Sequence, residues 1–600
     1  MSRTVPRLGA WRTDSGGAAW RVWAPEHDRL AVVLCDDERA GSESFALHRE
    51  GSYFEGELPC PPARLLYKLL VDGGGPFPDP WSRSQPFGVH GPSEVPINDY
   101  RWHDRAWRGV PLDQLIIYEL HVGAATTEGT FDSLIPRLQH VRSLGATALE
   151  LMPVASFPGR RNWGYDGVSL FAPSVVYGGP DALRRLIDVA HQVGLAVILD
   201  VVYNHLGPDG NYLGCFSADY FTARHTTPWG KAINYDGERA APVRELVLSN
   251  AEMWIGDYHA DGLRLDATHA IFDDSGPHIL REIGERARGA APERSVIVIA
   301  EDDRNDARLV GPAPGYGLDA VWADDFHHAL RRTVAGDSMG YYRDYRGTTE
   351  EIAASIRQGW LYEGQYSEHF GRARGTSSTP LPLPQFVHCL QNHDQIGNRA
   401  LGDRISEAVS PAVHRVMSAL LFFSPGTPLL FMGQEWDART PFLFFTDHHA
   451  ELGRHVTEGR RAELFALGTP STTEIPDPQA EETFTRSRLD WKELDRPGHR
   501  EMLAWYRCLI ELRRTHPCLQ LRRREDTEAV ALSDSSLRIV RRSGDRRLTL
   551  VACFGGALEF ATIGRVLASS TEPRFGGETD LRVEGGRVCG QGPVAVVLEG

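Results

Sequence analysis

The stretch Gly262-Leu-Arg-Leu-Asp266-Ala-Thr-His-Ala270 carries one arginine and one aspartate, two residues apart, inside a short apolar run. Read as a β-strand, the run puts Arg264 and Asp266 on the same face, because successive side chains alternate. A charge pair at a buried strand end is costly unless it is paired or put to use. A guanidinium beside a carboxylate favours the ionised form, which is what a carboxylate nucleophile needs. On its own such a pair reads as a structural salt bridge, so its meaning depends on what the neighbouring strand ends carry.

Those neighbours repeat one rhythm. From about residue 111, apolar runs of strand length alternate with amphipathic stretches. The runs are 115–121, 147–153, 195–200, the opening stretch, 295–300, 318–322, 386–391 and 428–432. Several are continuously apolar, the mark of strands buried on both faces in a parallel sheet. Between them, helical patterns cover 131–144, 181–193, 242–259 and 278–288, with Gly145 and Gly194 placed as C-caps. Eight such units predict an α/β fold, a (β/α)8 barrel with insertions. Two long connections, 154–180 and 203–241, follow strand C-termini, where barrel loops build active sites. A last helix is expected over 502–514.

The flanks differ. Residues 1–100 hold short alternating runs punctuated by Pro25, Asp36-Asp37 and Gly73-Gly-Gly75, which predicts a β-sandwich. Segment 76–96 is proline-rich and reads as a surface linker. Beyond Pro517 short strands return, at 529–532, 537–540, 548–552 and 594–598, predicting a second β domain. The expected domains are therefore 1–100, 101–517 and 518–600.

Composition narrows the partners. A formal charge of −16 argues against nucleic acid or an anionic membrane and suits a neutral substrate. Eight scattered cysteines form no C-x-x-C, and the N-terminal Met1-Ser-Arg-Thr-Val-Pro shows no apolar leader core. No run of about 18 apolar residues occurs. These features predict a cytoplasmic protein with reduced thiols and no cofactor.

The charges that follow the apolar runs then converge. The third gives Asp200-Val-Val-Tyr-Asn204-His205, the fourth Arg264 and Asp266, the fifth Glu301-Asp302-Asp303, the seventh Asn392-His393-Asp394. In a barrel all emerge on one face. The chemistry they suit is acetal cleavage, in which a retaining glycosidase sets an ionised carboxylate and a protonated one about 5–5.5 Å apart. Asp266 beside Arg264 suits the first role. Glu301, directly after Val296-Ile-Val-Ile-Ala300, suits the second, because desolvation raises a carboxyl pKa. His205 and His393 can donate hydrogen bonds to sugar hydroxyls. No H-x-H or H-x-x-x-H spacing supports a metal.

These four segments resemble, in order and content, the signature regions of the α-amylase superfamily of glycoside hydrolases. The resemblance implies Asp266 as nucleophile, Glu301 as general acid/base and Asp394 as the third carboxylate. It implies Arg264, His205 and His393 as subsite residues, Asp200 and Asn204 as structural residues, and Tyr165 in Asn162-Trp-Gly-Tyr-Asp166-Gly167 as the aromatic platform, with Asp166 beside it. Some members bind calcium through the asparagine matching Asn204, but no complete ligand set is visible. The segments 117–123, 157–167, 204–212, 227–234, 324–328, 391–399 and 441–447 are similar to the trehalose-releasing branch of the superfamily. That implies a substrate of maltooligosyltrehalose and products of trehalose and maltooligosaccharide. Asp302, Asp325 and His327 are then candidates for gripping the trehalose, although the stretch 324–328 reads equally as a helix cap. A branching or debranching enzyme, and a non-catalytic glucan-binding protein, are the alternatives. An aldolase-type barrel would need a lysine at a strand end, and none appears.

Overall fold

The computed structural model describes residues 7–38, 40–520, 522–561, 564–578, 581–584 and 586–600; the N-terminal Met1–Pro6 lies outside them. Eight parallel strands close into a barrel: Ile117–Leu120, Ala148–Leu151, Ala196–Val201, Gly262–Leu265, Ile297–Ala300, Ala320–Trp322, Phe386–Cys389 and Thr427–Phe431. Each falls within or beside a run expected from the sequence, and the strand residues are buried throughout. Branched and aliphatic side chains such as Ile117, Ile198, Ile297, Ile299 and Leu429 fill the barrel interior.

The third and fourth strands pair with Asp200 opposite Arg264, and the fourth and fifth with Arg264 opposite Ile299. Close approach of the last pair depends on Gly262, where a Cβ would lie 2.3 Å from the Ile297 carbonyl oxygen. The helices Gly179–Val193, Ala240–Gly256 and Ile279–Ala290 wrap the barrel close to their expected positions. Gly194 ends the first of them in the left-handed region at φ 82°. The expected helix over 131–144 is broken into Phe131–Leu134, a 3-10 turn over Ile135–Arg137 and Leu138–Leu144, because Pro136 cannot continue an α-helical ladder. The last helix runs over His499–Thr515.

The flanking sheets are antiparallel. Near the N-terminus a four-stranded and a five-stranded sheet pack together, with Trp20 held edge-on between Phe45 and Tyr67. The segment expected to be a surface linker is instead a packed seam. Trp81 is buried and stacks on Phe171 of the barrel insertion with centroids 5.0 Å apart, and Val89 and Val95 are buried as well. Strand pairing is confined to its ends, at Phe77 and at Ser93–Glu94, and its apolar side chains drive the rest inward. At the C-terminus a six-stranded sheet is built around Arg546–Ala561 and Arg587–Glu599. Among the described residues no helix is long and apolar enough to cross a membrane.

Two large excursions were not anticipated. Between the sixth and seventh strands the chain forms helices Asp325–Ala335 and Thr349–Gln358 and a small hairpin, Tyr366–Ser367 with Arg372–Ala373. After the eighth strand it forms helix Ala450–Ala466 before returning to the outer helix. Helix Thr349–Gln358 packs on helix Asp325–Ala335 and on the C-terminal sheet, where Thr349 donates to the Ser533 carbonyl.

Candidate active site

Arg264 is the fixed point. It is fully buried, donates from Nη1 to Asp266 Oδ1 at 2.7 Å and to both Asp200 oxygens at 2.9 Å, and lies over the Trp322 ring. Its Nη2 is 3.7 Å from Glu301 Oε2. One guanidinium therefore neutralises the ends of the third and fourth strands and reaches the fifth. Burial alone would disfavour its charge, but Asp200, Tyr165, Asp266 and Glu301 outweigh that cost and hold it protonated.

Asp266 and Glu301 end adjacent strands, and their environments differ. After Asp266 the chain turns through Ala267, a non-glycine residue in the left-handed region at φ 41°. That turn aims the Ala267 N–H at Glu301 Oε2, 2.6 Å away. Strain of this kind persists where the surroundings over-determine the backbone, as at functional sites. Burial pushes the Glu301 pKa well up. Arg264 opposes the rise, and the charges of Asp266, Asp394 and Asp324 add to it. Arg264 lies closer to Asp266 than to Glu301, which is the asymmetry an ionised and a protonated partner require.

The seventh strand supplies His393 and Asp394. His393 Nδ1 is hydrogen-bonded to Glu119, whose other oxygen accepts the His393 backbone N–H at 3.2 Å. Burial pushes the imidazole down, but Asp394 and Glu119 outweigh it and lift it to about 9, so the ring is cationic. Its Nε2 faces Asp394 Oδ2 at 3.4 Å and the Tyr165 hydroxyl at 2.7 Å. Asp394 is also held by Asn398 Nδ2 at 3.1 Å, and at 39% side-chain exposure it is more open than Asp266 or Glu301. The Tyr165 ring stacks on His393, and its hydroxyl donates to Asp200 at 2.6 Å. His205 is buried, its Nδ1 unpaired among the described residues, and burial keeps its pKa low.

The remaining expected residues are held differently. Asp302 accepts from Thr268 Oγ1 at 2.7 Å and is clamped by Arg304. Asp166 accepts from Asn162 and faces His448. Asp325 is fully buried and receives Asn305, Arg374, Tyr345 and the Leu361 and Tyr362 backbone N–H groups. His327 Nδ1 donates to the Leu390 carbonyl, and its Nε2 meets the Tyr342 hydroxyl. Asp325 and His327, expected to grip a sugar, both find partners within the protein. Their polar atoms are spent within the protein, and they brace the sixth-strand loop. Asn204 is buried, and both its side-chain polar atoms are unpaired among the described residues. Among the described residues, ligand atoms of three His, Cys, Asp or Glu side chains cluster at His225, Asp236 and Asp274.

Three site residues escaped the sequence reading. Glu119 and Glu150 are buried at 1% exposure on the first and second strands. A carboxylate in the middle of an apolar strand was the available signal in both. Trp229, at the tip of the hairpin joining Phe221–Thr227 to Gly230–Ile233, is exposed and stacks on His205 with centroids 4.8 Å apart. Nothing local to its sequence places it there.

A closed parallel barrel with carboxylates at the ends of its fourth, fifth and seventh strands defines the α-amylase class of glycoside hydrolases, and this chain is of that class. A family model described as the alpha amylase catalytic domain matches residues 77–227. The malto-oligosyltrehalose trehalohydrolase of Deinococcus radiodurans is 44% identical over 526 residues, 87% of this chain and 85% of that protein. That of Arthrobacter ramosus is also 44% identical, over 83% of this chain and 87% of its own. The chain belongs to the malto-oligosyltrehalose trehalohydrolase family. A 1,4-alpha-glucan branching enzyme from Salinibacter ruber is more distant, at 27% identity over 92% of this chain and 86% of that protein. Among solved structures, a candidate alpha amylase from Salmonella typhimurium superposes with a TM-score of 0.89 at 34% identity, covering 99% of this chain and all of that one. A pullulanase solved with maltotetraose shares the fold, with a TM-score of 0.76 at 15% identity over 99% and 88% of the two chains.

Proposed function

We infer that the protein hydrolyses the α-1,4 glucosidic bond next to the terminal trehalose of maltooligosyltrehalose, releasing trehalose and a maltooligosaccharide. The observation that carries the chemistry is the unequal treatment of two neighbouring carboxylates by one buried arginine. Asp266, 2.7 Å from Arg264, is the ionised nucleophile; Glu301, lifted by burial, is the proton donor.

In the first step an Asp266 oxygen attacks the anomeric carbon while the glycosidic C–O bond breaks, and Glu301 gives its proton to the departing oxygen. In the second step water takes the place of the leaving sugar, Glu301 recovers a proton from it, and the ester to Asp266 opens. Asp394 and the cationic His393 bind hydroxyls of the sugar being cleaved, and Tyr165 lies beneath its ring. Arg264 stabilises the Asp266 carboxylate before the attack and again once the ester has opened. The family relationship supports the choice of trehalose as leaving group over the transfer of a glucan chain. Cytoplasmic action belongs to the same reading and is supported by eight unpaired thiols.

The test compares wild-type protein with Asp266→Ala and Glu301→Gln on maltooligosyltrehalose and on amylose, with chromatography of the products. Trehalose from the first substrate and little change in the second is expected. Loss of the acid in Glu301→Gln should slow turnover by roughly 10²–10⁴-fold with folding intact. New branch points in amylose, or near-wild-type activity in either variant, would overturn the reading.

A further inference from the structure

Asp324 closes the sixth barrel strand, between Glu301 on the fifth and Asp394 on the seventh. It differs from six other acidic residues of the site. Asp200, Asp266, Glu301, Asp302, Asp325 and Asp394 each accept at least one hydrogen bond from a described residue. The Asp324 carboxylate accepts none from the described residues, even though the residue stands at the N-cap of the helix Asp325–Ala335, where a side chain would ordinarily turn back onto the first backbone N–H groups. It is half-buried. Leaving a carboxylate half out of water without a partner is costly unless something outside the protein supplies the missing donors.

The position says which part of a substrate that would be. Glu301 protonates the departing oxygen, so the leaving sugar lies beside it. Around the barrel Asp266 is on one side of Glu301 and Asp324 on the other. The cleaved sugar faces Asp266, which leaves the far side for the departing unit. Of the groups facing Asp324 (Arg374, Asp394, Asp325, Asp303, Glu301 and Tyr341), the cation Arg374 is committed to Asp325, 2.8 Å away. An uncharged polyol suits such a place, because its hydroxyls donate without adding charge to a crowd of carboxylates.

We propose that Asp324 accepts hydrogen bonds from hydroxyls of the leaving trehalose unit, and so is a specificity-determining residue of the site. The proposal rests on the trehalose-releasing reading above. Burial lifts Asp324 to about 7; Arg374 opposes the rise, and Asp394 and Asp325 add to it. The grip therefore weakens as the carboxyl protonates in acid.

The experiment measures kcat, KM and product inhibition for wild-type protein, Asp324→Asn and Asp324→Ser on maltooligosyltrehalose, with melting midpoints as the control for folding. The inhibition constant for trehalose should rise about 10- to 100-fold in both variants, the scale of hydrogen bonds to a charged group, with KM rising alongside. The inhibition constant for the maltooligosaccharide product should hold. The alkaline limb of kcat/KM should move to lower pH in Asp324→Asn, since a charge that lifts Glu301 is gone. An unchanged trehalose constant, or a change confined to the maltooligosaccharide constant, overturns the assignment of Asp324. Failure of the wild-type protein to release trehalose instead overturns the functional reading itself, and the assignment with it.

Discussion

Glu119 shows how a residue distant in sequence can set the state of one in the site. It holds His393 by both ring and backbone, and with Asp394 it keeps the imidazole cationic against the cost of burial. Replacing Glu119 by Gln keeps the volume and removes the charge. Activity on maltooligosyltrehalose should fall roughly tenfold or more, as expected for a lost bond to a charged group, and the pH profile should shift with His393. The same ring gives a stability signature. Its folded pKa of about 9 is above the ordinary value of about 6.5, so its contribution is complete below about 6.5 and is lost as pH rises through about 9. For an imidazole at 1% exposure this amounts to about 3 kcal/mol at most. Denaturant titrations from pH 6 to 9.5 should show wild-type stability declining more steeply than that of His393→Gln. Parallel curves would mean the ring is neutral when folded.

At the scale of elements, the fourth and fifth strands carry the proposed nucleophile and acid, and their spacing is set where Gly262 meets the Ile297 carbonyl. Gly262→Ala forces a methyl into 2.3 Å of that oxygen, so the strands must part. The expected cost is about 1–3 kcal/mol, read as a lower melting midpoint, with activity falling further than stability because Asp266 and Glu301 separate. Strands of this kind were legible, since continuous apolarity survives any context. The sixth-strand loop was not. Asp324 and Asp325 are chemically identical neighbours, and the sequence reading favoured Asp325. Only the packing of Arg374, Tyr345 and Asn305, from segments 20 to 49 residues away, shows that Asp325 is spent and Asp324 free to bind.

At the scale of the molecule, the C-terminal sheet is part of what keeps the barrel closed. Helix Pro411–Phe423 is buried along most of its length between the barrel and that sheet. Its C-terminal carbonyls are capped by arginines: Arg513 reaches Phe422, Ser424 and Gly426, and Arg541, from the sheet itself, reaches Phe423. Cations at a helix C-terminus are favoured by its dipole. A chain truncated after Thr515 would expose this helix and lose the Arg541 cap, and it should be recovered as aggregate by size-exclusion chromatography. Monodisperse, active truncated protein would show the sheet to be dispensable. The proline-rich segment 76–96 makes a similar junction at the other end. It reads as a linker because proline forbids regular pairing, yet Trp81 anchors it on Phe171.

The sequence by itself determined the barrel and its reaction chemistry. Strand periodicity is a local property, and a carboxylate at a strand end in a closed parallel barrel has one face on which to emerge, so the convergence of Asp266, Glu301 and Asp394 could be read from order, and the roles proposed for them from the family resemblance. The tertiary structure decided which polar groups remain available. Availability is the balance of a residue's hydrogen-bonding capacity against partners brought from anywhere in the chain. That balance consumed Asp302, Asp325 and His327, brought in Glu119 and Trp229, and left the Asp324 carboxylate without a partner among the described residues.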